Sequence, residues 1–228
     1  MKAVIIDDER LARAELRRIL AAHPEIEIAG EASNGDQALA LVAQTAPDLL
    51  FLDIQMPGLT GFDVLERLEE IPQVIFTTAY DQYAIKAFEV NALDYLLKPI
   101  APARLASALA KVRPPTGSGR LERVFVRDGE HCWIVQLADI FLLESEGNYT
   151  RVHFNGHRPL IRRSLNALEA HLDPAIFFRA NRQEILNLRR IDRVDLAVSG
   201  GLVATLKNGR TVEMSRRQSG RLREILSF

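Results

Sequence analysis

Five short apolar runs, at residues 3–6, 26–29, 49–52, 74–76 and 93–97, alternate with stretches of helical periodicity at 9–22, 35–43, 61–68, 82–88 and 102–112. The runs at 3–6, 49–52 and 74–76 hold no polar residue, which suits strands covered on both faces rather than half-exposed to water; 26–29 and 93–97 each hold one acid, Glu27 and Asp94. The stretches between the runs carry their apolar residues on one side, as Leu11, Ala14, Ile19 and Leu20 do in the first. A helix after each strand is the crossover that parallel strands need. Repeated five times, the pattern predicts an α/β five-stranded parallel doubly wound domain.

The alternation stops at residues 114–120, where Pro114-Pro115 and Gly117-Ser118-Gly119 favour neither helix nor strand. We read this as a linker between a domain at 1–113 and a second at 121–228. The second half carries four turn signals: Asp128-Gly129, Asn155-Gly156, Gly200-Gly201 and Asn208-Gly209. Strand-like segments such as RVFVR, CWIVQL, YTRVHF and LVATL flank them, as hairpins require. Only 164–172 and 218–226 look helical, so the second domain is expected to be mostly antiparallel β. His153 and His157, four apart, fall on either side of Asn155-Gly156 and read as hairpin residues, not a metal pair.

Charge divides with the pattern. Residues 1–115 hold 11 Lys and Arg against 17 Asp and Glu, whereas 116–228 hold 18 against 13, all but one of the 18 being Arg. A basic second half suits a polyanionic partner. No apolar run reaches the roughly 20 residues of a membrane helix, and the start, MKAVIIDDER, does not resemble a signal peptide. Cys132 is the single cysteine, which fits a reducing, cytoplasmic setting and no membrane partner. Beside Trp133 it reads as a packed strand residue.

What the apolar runs end in is chemically pointed. The first ends in Asp7-Asp8, the third in Asp53, the fourth in Thr77-Thr78 and the fifth in Lys98-Pro99. In an open parallel sheet, ligands bind beyond the carboxyl ends of the strands. A single aspartate there is usually a cap or turn residue, but four strands delivering acids, hydroxyls and an ammonium to one edge make a site. Clustered carboxylates call for a cation, and hard oxygen ligands suit Mg²⁺. Lys98 and Thr78 supply the groups that hold phosphoryl oxygens.

The segments IIDDE, LLFLDIQMPG, VIFTTAY and DYLLKPI, in this order over residues 1 to about 113, resemble the receiver domain of two-component response regulators. The resemblance implies that Asp53 is the phosphoacceptor, served by a cognate histidine kinase. It implies Mg²⁺ held by Asp8, Asp53 and the Gln55 carbonyl, with Asp7 assisting through water. Lys98 would contact the phosphoryl group, Thr78 and Tyr95 would form the switch, and the Lys98–Pro99 peptide would be cis. The domain would take part in phosphoryl transfer and slowly lose its own phosphoryl group, without being an enzyme for a separate substrate. Haloacid-dehalogenase-type phosphatases also use a strand-end aspartate, but with Asp-x-Asp, and here Gln55 leaves no general acid. Receivers resembling this one dimerise when phosphorylated, and Tyr83, Ala84, Ala87, Phe88 and Val90 would give an apolar stripe for that homodimer.

IFLLESEGNYTRVHF, LIRRSLNALEAHL, FFRANRQEILNLRRI and LKNGRTVEMSRRQ look like the LytTR DNA-binding domain, a compact β fold whose loops enter successive major grooves of double-stranded DNA. Carried over residue by residue, the resemblance puts base reading at Arg182, Arg217 and the 148–150 loop (Asn148, Tyr149, Thr150), with Arg179 and Asn181 close by. Arg151, Arg162 and Arg216 join the expected DNA contacts, with Ser215 as a cap for the last helix. The chain departs from the family where Asn181 stands for a common His and Gln183 for a small polar residue. The whole resembles a phosphorylation-dependent transcription factor acting as a dimer on repeated half-sites. Two other readings differ in a checkable way: an interaction module for protein or RNA would show no sequence-dependent duplex binding, and a constitutive DNA binder would ignore phosphorylation.

Overall fold

The computed structural model describes residues 1–79, 92–113, 123–129 and 131–226. The expected helix at 82–88, the stripe from Tyr83 to Val90 and the linker at 114–120 lie outside them. Contacts divide the chain into two compact units, Met1–Gly119 with Arg123–Ile134, and Arg120–Glu122 with Val135–Phe228.

The first unit holds β1 (Lys2–Ile6), β2 (Glu27–Ala32), β3 (Leu49–Asp53), β4 (Gln73–Thr78) and β5 (Asp94–Leu97) in a parallel sheet of order β2-β1-β3-β4-β5. Helices α1 (Arg10–Leu20), α2 (Gly35–Thr45), α3 (Gly61–Arg67) and α4 (Pro102–Leu109) follow their strands. Alternate residues of the buried strands feed two cores. Val4, Leu50, Leu52 and Phe76 pack with α2 and α3; Ala3, Ile5, Phe51 and Ile75 pack with α1 and α4. The inner strands β1, β3 and β4 are apolar on both faces because both faces are covered, whereas the edge strands β2 and β5 carry Glu27, Glu31 and Asp94. The chain steps from β1 outward to β2, then returns to the other side of β1 for β3, so the topological switch point lies between β1 and β3. Asp7 and Asp53 stand there.

Local chemistry sets the helix starts. Thr60 and Asp63 form a capping box at α3, each side chain bonding the other's backbone N–H, and the Asn34 side chain accepts the Gln37 N–H at α2. At the far edge Asp94, buried, accepts from Arg104 Nη1 at 2.8 Å and from the Tyr95 N–H at 2.8 Å, with Lys111 Nζ 2.9 Å away. Burial works against its charge, but the bonds from Arg104, Lys111 and the Tyr95 N–H outweigh it and hold the carboxyl well below the usual range. A depressed carboxylate contributes stability that is full above its unfolded pKa of about 4 and is lost as pH falls. Asp94→Asn should therefore cost ~1–3 kcal/mol at pH 7, the partners being half exposed. In urea unfolding the gap to wild type should narrow below about pH 4; an equal gap at pH 7 and pH 3 would contradict this.

Hairpin β6 (Arg123–Asp128) with β7 (His131–Gln136) packs largely on this first unit. Phe125 stacks on Phe62 with centroids 6.3 Å apart, Phe62 meets Phe76 edge-on at 5.2 Å, and Arg127 Nη1 lies 2.8 Å from Asp63. Cys132 is buried in the same cluster.

The second unit is antiparallel. A sheet of order β10-β9-β8-β12-β11 uses β8 (Ile140–Glu146), β9 (Tyr149–Phe154), β10 (Leu160–Ile161), β11 (Phe177–Arg179) and β12 (Glu184–Asn187). A second sheet joins β13 (Ile191–Leu196), β14 (Leu202–Leu206) and β15 (Thr211–Glu213). Asn155 and Gly156 have φ of 43° and 82°, the left-handed pair a tight hairpin demands. α5 (Leu165–Glu169) is capped by Ser164. α6 (Arg216–Leu226) starts at Arg216, two residues before the sequence pattern suggested, because the Ser215 hydroxyl accepts the Gln218 N–H. No helix among the described residues is long and apolar enough to cross a membrane.

Candidate functional site

The register of the parallel sheet assembles the first site. Asp7 follows β1 directly, Asp53 closes β3, and Thr77 is paired with Asp53 across β4. Lys98 follows β5 and its N–H donates to the Thr78 carbonyl at 2.8 Å. The Lys98–Pro99 peptide is cis. From this position Lys98 Nζ reaches Asp7 Oδ2 and Asp53 Oδ2, each at 2.7 Å. Asp7 Oδ1 accepts the Glu9 N–H at 2.9 Å and Asp53 Oδ1 the Gln55 N–H at 3.1 Å. Arg13, which the sequence did not single out, donates to the Asp7 carbonyl at 2.6 Å and pins the β1–α1 turn.

Asp7 and Asp53 are 3% and 5% exposed, so their charge must be balanced locally. Burial raises the Asp53 pKa above the usual aspartate value, and Asp7 adds to the rise, while Lys98 and the Gln55 N–H oppose it. Burial also works against the Lys98 charge, yet the bonds to Asp53 and Asp7 prevail and raise its pKa. Asp7, Asp8 and Asp53 each offer an oxygen within 4.8 Å of the others. Three carboxylates against one ammonium leave two negative charges, a donor set of hard oxygens that fits a divalent cation of the Mg²⁺ kind.

Thr78 is fully buried. Tyr95 pairs with Phe76 across β4 and β5, and Phe76 and Thr78 share a face of the sheet by the strand's period of two. Thr78 and Tyr95 therefore lie on one face, one pleat apart.

In the second unit the predicted contact residues separate into two groups. Arg162, Arg182 and Arg217 are exposed, and their guanidinium groups carry no hydrogen bond or ion pair among the described residues. Asn148 is exposed in the β8–β9 turn, where Gly147 has φ 65°, and Tyr149 beside it is 41% exposed. The others are engaged. Thr150 is buried and donates to the Arg163 carbonyl at 2.8 Å. Arg151 pairs with Glu146 and donates to the Arg158 carbonyl. Arg216 reaches the Ser199 carbonyl at 3.2 Å.

Arg179 and Asn181 are the most fully occupied. Arg179 Nε donates to the Asn181 carbonyl at 2.7 Å, Nη2 to the Arg182 carbonyl at 2.6 Å, and Nη1 to Glu169 at 2.7 Å and Asn166 at 3.1 Å. Asn181 Nδ2 donates to Glu184 at 2.7 Å and the Glu213 carbonyl at 2.9 Å, while its Oδ1 accepts the Gln183 N–H at 2.8 Å. Behind Glu184, Arg210 reaches both Glu184 and Glu144, and Glu144 bonds His153 at 3.0 Å.

Arg179, Asn181, Arg182 and Arg217 line one open cleft together with Gln218 and Arg221. Arg221 was not foreseen, though it sits one helical turn after Arg217, and that spacing was the available signal.

Comparison with known proteins agrees with both halves. A family model described as the response regulator receiver domain matches residues 3–110, and one described as the LytTr DNA-binding domain matches 130–227. The chain is 36% identical over 242 residues to the transcriptional regulatory protein BtsR of Escherichia coli (strain K12), covering 100% of each. It is 31% identical over 241 residues to the sensory transduction protein LytT of Enterococcus faecalis, again covering 100% of each. A solved response regulatory domain of mrkE from Klebsiella pneumoniae aligns with 49% of this chain and 94% of its own, at 35% identity and a TM-score of 0.45.

Proposed function

The chain belongs to the two-component response regulators that join a receiver to a LytTR DNA-binding domain and control transcription, and we propose that phosphorylation of Asp53 by a histidine kinase governs its grip on DNA. The phosphoacceptor part is taken as 1–113 and the DNA-binding part as 121–228, joined by 114–120. The observation that carries the proposal is Lys98 Nζ at 2.7 Å from both Asp53 and Asp7, at the carboxyl ends of parallel strands.

An oxygen of Asp53 attacks the phosphorus of the kinase phosphohistidine in line; the P–N bond breaks as the new P–O bond forms. Mg²⁺ held by Asp8, Asp53 and the Gln55 carbonyl, with Asp7 through water, would supply positive charge to the transferring oxygens. Lys98 moves with the developing charge, exchanging part of its hold on the carboxylates for the phosphoryl group. A slow loss of the phosphoryl group to water resets the site. The Thr78 hydroxyl is drawn to the new charge and Tyr95, on the same face, follows inward. That repacking would reach the face on which a homodimer forms. Two copies bound to repeated half-sites then help each other through effective concentration.

For DNA, the free guanidiniums are the argument. Of these, Arg217 stands in the first turn of α6, where the helix dipole is positive and a cation is disfavoured by about 0.3–1 kcal/mol. Phosphate or an electron-rich base edge relieves that conflict. Arg182→Ala and Arg217→Ala should each cost ~1–3 kcal/mol and relax preference at single base positions, measured by competition with single-base variants of the site. Equal losses on every sequence would make them phosphate contacts.

The test of the whole reading is selection of random duplex DNA by the full chain, with and without beryllium fluoride plus Mg²⁺ as a phosphoryl mimic. A repeated motif enriched under the mimic is expected. Equal enrichment in both conditions would remove phosphorylation control, and none in either would remove DNA recognition.

A further inference from the structure

We propose that Asn181 and Arg179, although they stand beside Arg182 in the arginine-lined cleft, do not read DNA but brace the turn that presents Arg182. The inference rests on the reading of this unit as a duplex-DNA binder. It concerns which residues set its specificity.

The hydrogen-bonding capacity of the two side chains decides the matter. An asparagine amide reads adenine by using its oxygen and its nitrogen at once on one base edge. In Asn181 the nitrogen already serves Glu184 and the Glu213 carbonyl, and the oxygen already accepts the Gln183 N–H. Reading a base would strip Glu184 of this partner and leave the Gln183 N–H without its acceptor. Arg179 has its Nε and both Nη atoms engaged, two of them on the carbonyls of Asn181 and Arg182 themselves. A guanidinium that grips two consecutive carbonyls fixes the direction in which the intervening residue leaves the backbone.

The turn is held from further sides as well. The Ala180 N–H donates to the Glu184 carbonyl at 3.0 Å, and the Ser145 N–H of β8 donates to the Gln183 carbonyl at 2.7 Å. Glu184 is in turn paired with Arg210, which also pairs with Glu144, and Glu144 bonds His153. Every backbone position around Arg182 is thus anchored, while its own guanidinium is free. That is the arrangement expected when one exposed side chain must meet one base edge at fixed angle and the protein bears the ordering cost in advance.

The test reverses the polarity of the Asn181–Glu184 bond. The full chain, loaded with beryllium fluoride and Mg²⁺, is titrated on the selected operator and on its single-base variants. N181D replaces the donor by a carboxylate facing Glu184, and should lose roughly tenfold in affinity together with preference at the one base that Arg182→Ala also relaxes. N181D/E184Q has the charge of wild type and an amide N–H opposite the new carboxylate, so it should recover most of both. R179Q should lose the same single-base preference while the slope of log K against log salt stays at the wild-type value.

Failure of N181D/E184Q to recover, with preference changed at a different base from that of Arg182→Ala, would make Asn181 a base reader and overturn the brace. A salt slope reduced by about one in R179Q would make Arg179 a phosphate contact, with the same consequence. Wild type without any base preference would instead overturn the DNA-reading assignment itself, and the two failures are distinct.

Discussion

Asp53→Asn is expected to fold as wild type does and to accept no phosphoryl group. The amide oxygen is neutral and a poor nucleophile, so the in-line step loses its attacking atom. Stability should change little because opposing terms nearly cancel. The variant gives up the 2.7 Å pair between Asp53 and Lys98, but it also removes a buried carboxylate whose pKa burial and Asp7 already push upward. Lys98 keeps Asp7 at 2.7 Å and so is not left buried without a counter-charge. The balance should lie within ~1 kcal/mol, since replacing a buried ion pair is costly mainly when one partner is stranded. Acid-labile phosphate after incubation with a small phosphodonor is the measurement. Uptake by the variant at the wild-type rate would place the acceptor elsewhere. The same variant should select DNA equally with and without a phosphodonor.

The parts of this protein that were legible in its sequence are those written locally. Short apolar runs alternating with helical stretches gave the parallel sheet, and the residues at their ends gave Asp7, Asp53, Thr78 and Lys98 because a strand's end is fixed by its own pattern. Asn155-Gly156 and Asn208-Gly209 announced their hairpins through backbone chemistry that few residues share. The β8–β9 turn was less visible: Gly147-Asn148 sits between Glu146 and Tyr149, and no Asn-Gly or Asp-Gly order marks it. The apolar pattern alone begins α6 at 218, but Ser215, legible as its cap, accepts the Gln218 N–H and starts the helix at Arg216.

The split among the expected DNA contacts could not be read at all. It depends on partners distant in the chain, such as Asn181 with Glu213, 32 residues on, and Thr150 with Arg163, 13 residues on. Propensity and spacing carry no information about such bonds. The same holds for hairpin β6–β7, whose Phe125 finds Phe62 only in three dimensions.

Gly61→Ala should be the most damaging single-methyl change near the phosphoacceptor. Gly61 opens α3, and its N–H donates to the Ile54 carbonyl at 2.9 Å, drawing the helix onto the end of β3. A Cβ there would lie 2.3 Å from the Asp53 carbonyl oxygen and 3.1 Å from Leu52 Cγ. The first obstacle is backbone, which cannot rotate aside as a side chain can. Either α3 moves off β3 or the peptide of Asp53 turns, and both displace the attacking carboxylate. Overpacking of this kind costs ~1–3 kcal/mol, and a shift of about 1 Å in a reacting group can cost on the order of 100-fold in rate. Gly58 provides the contrast. It lies in the loop between β3 and α3, has φ +83°, and would place a Cβ in open space. Gly58→Ala therefore suffers only the left-handed penalty of about 1–2 kcal/mol, with Asp53 left in place. Stabilities by urea unfolding should then be similar for the two variants, while the rate of phosphoryl uptake should fall steeply for Gly61→Ala alone. Equal rates in the two would mean that the contact of α3 with Asp53 does not position the acceptor.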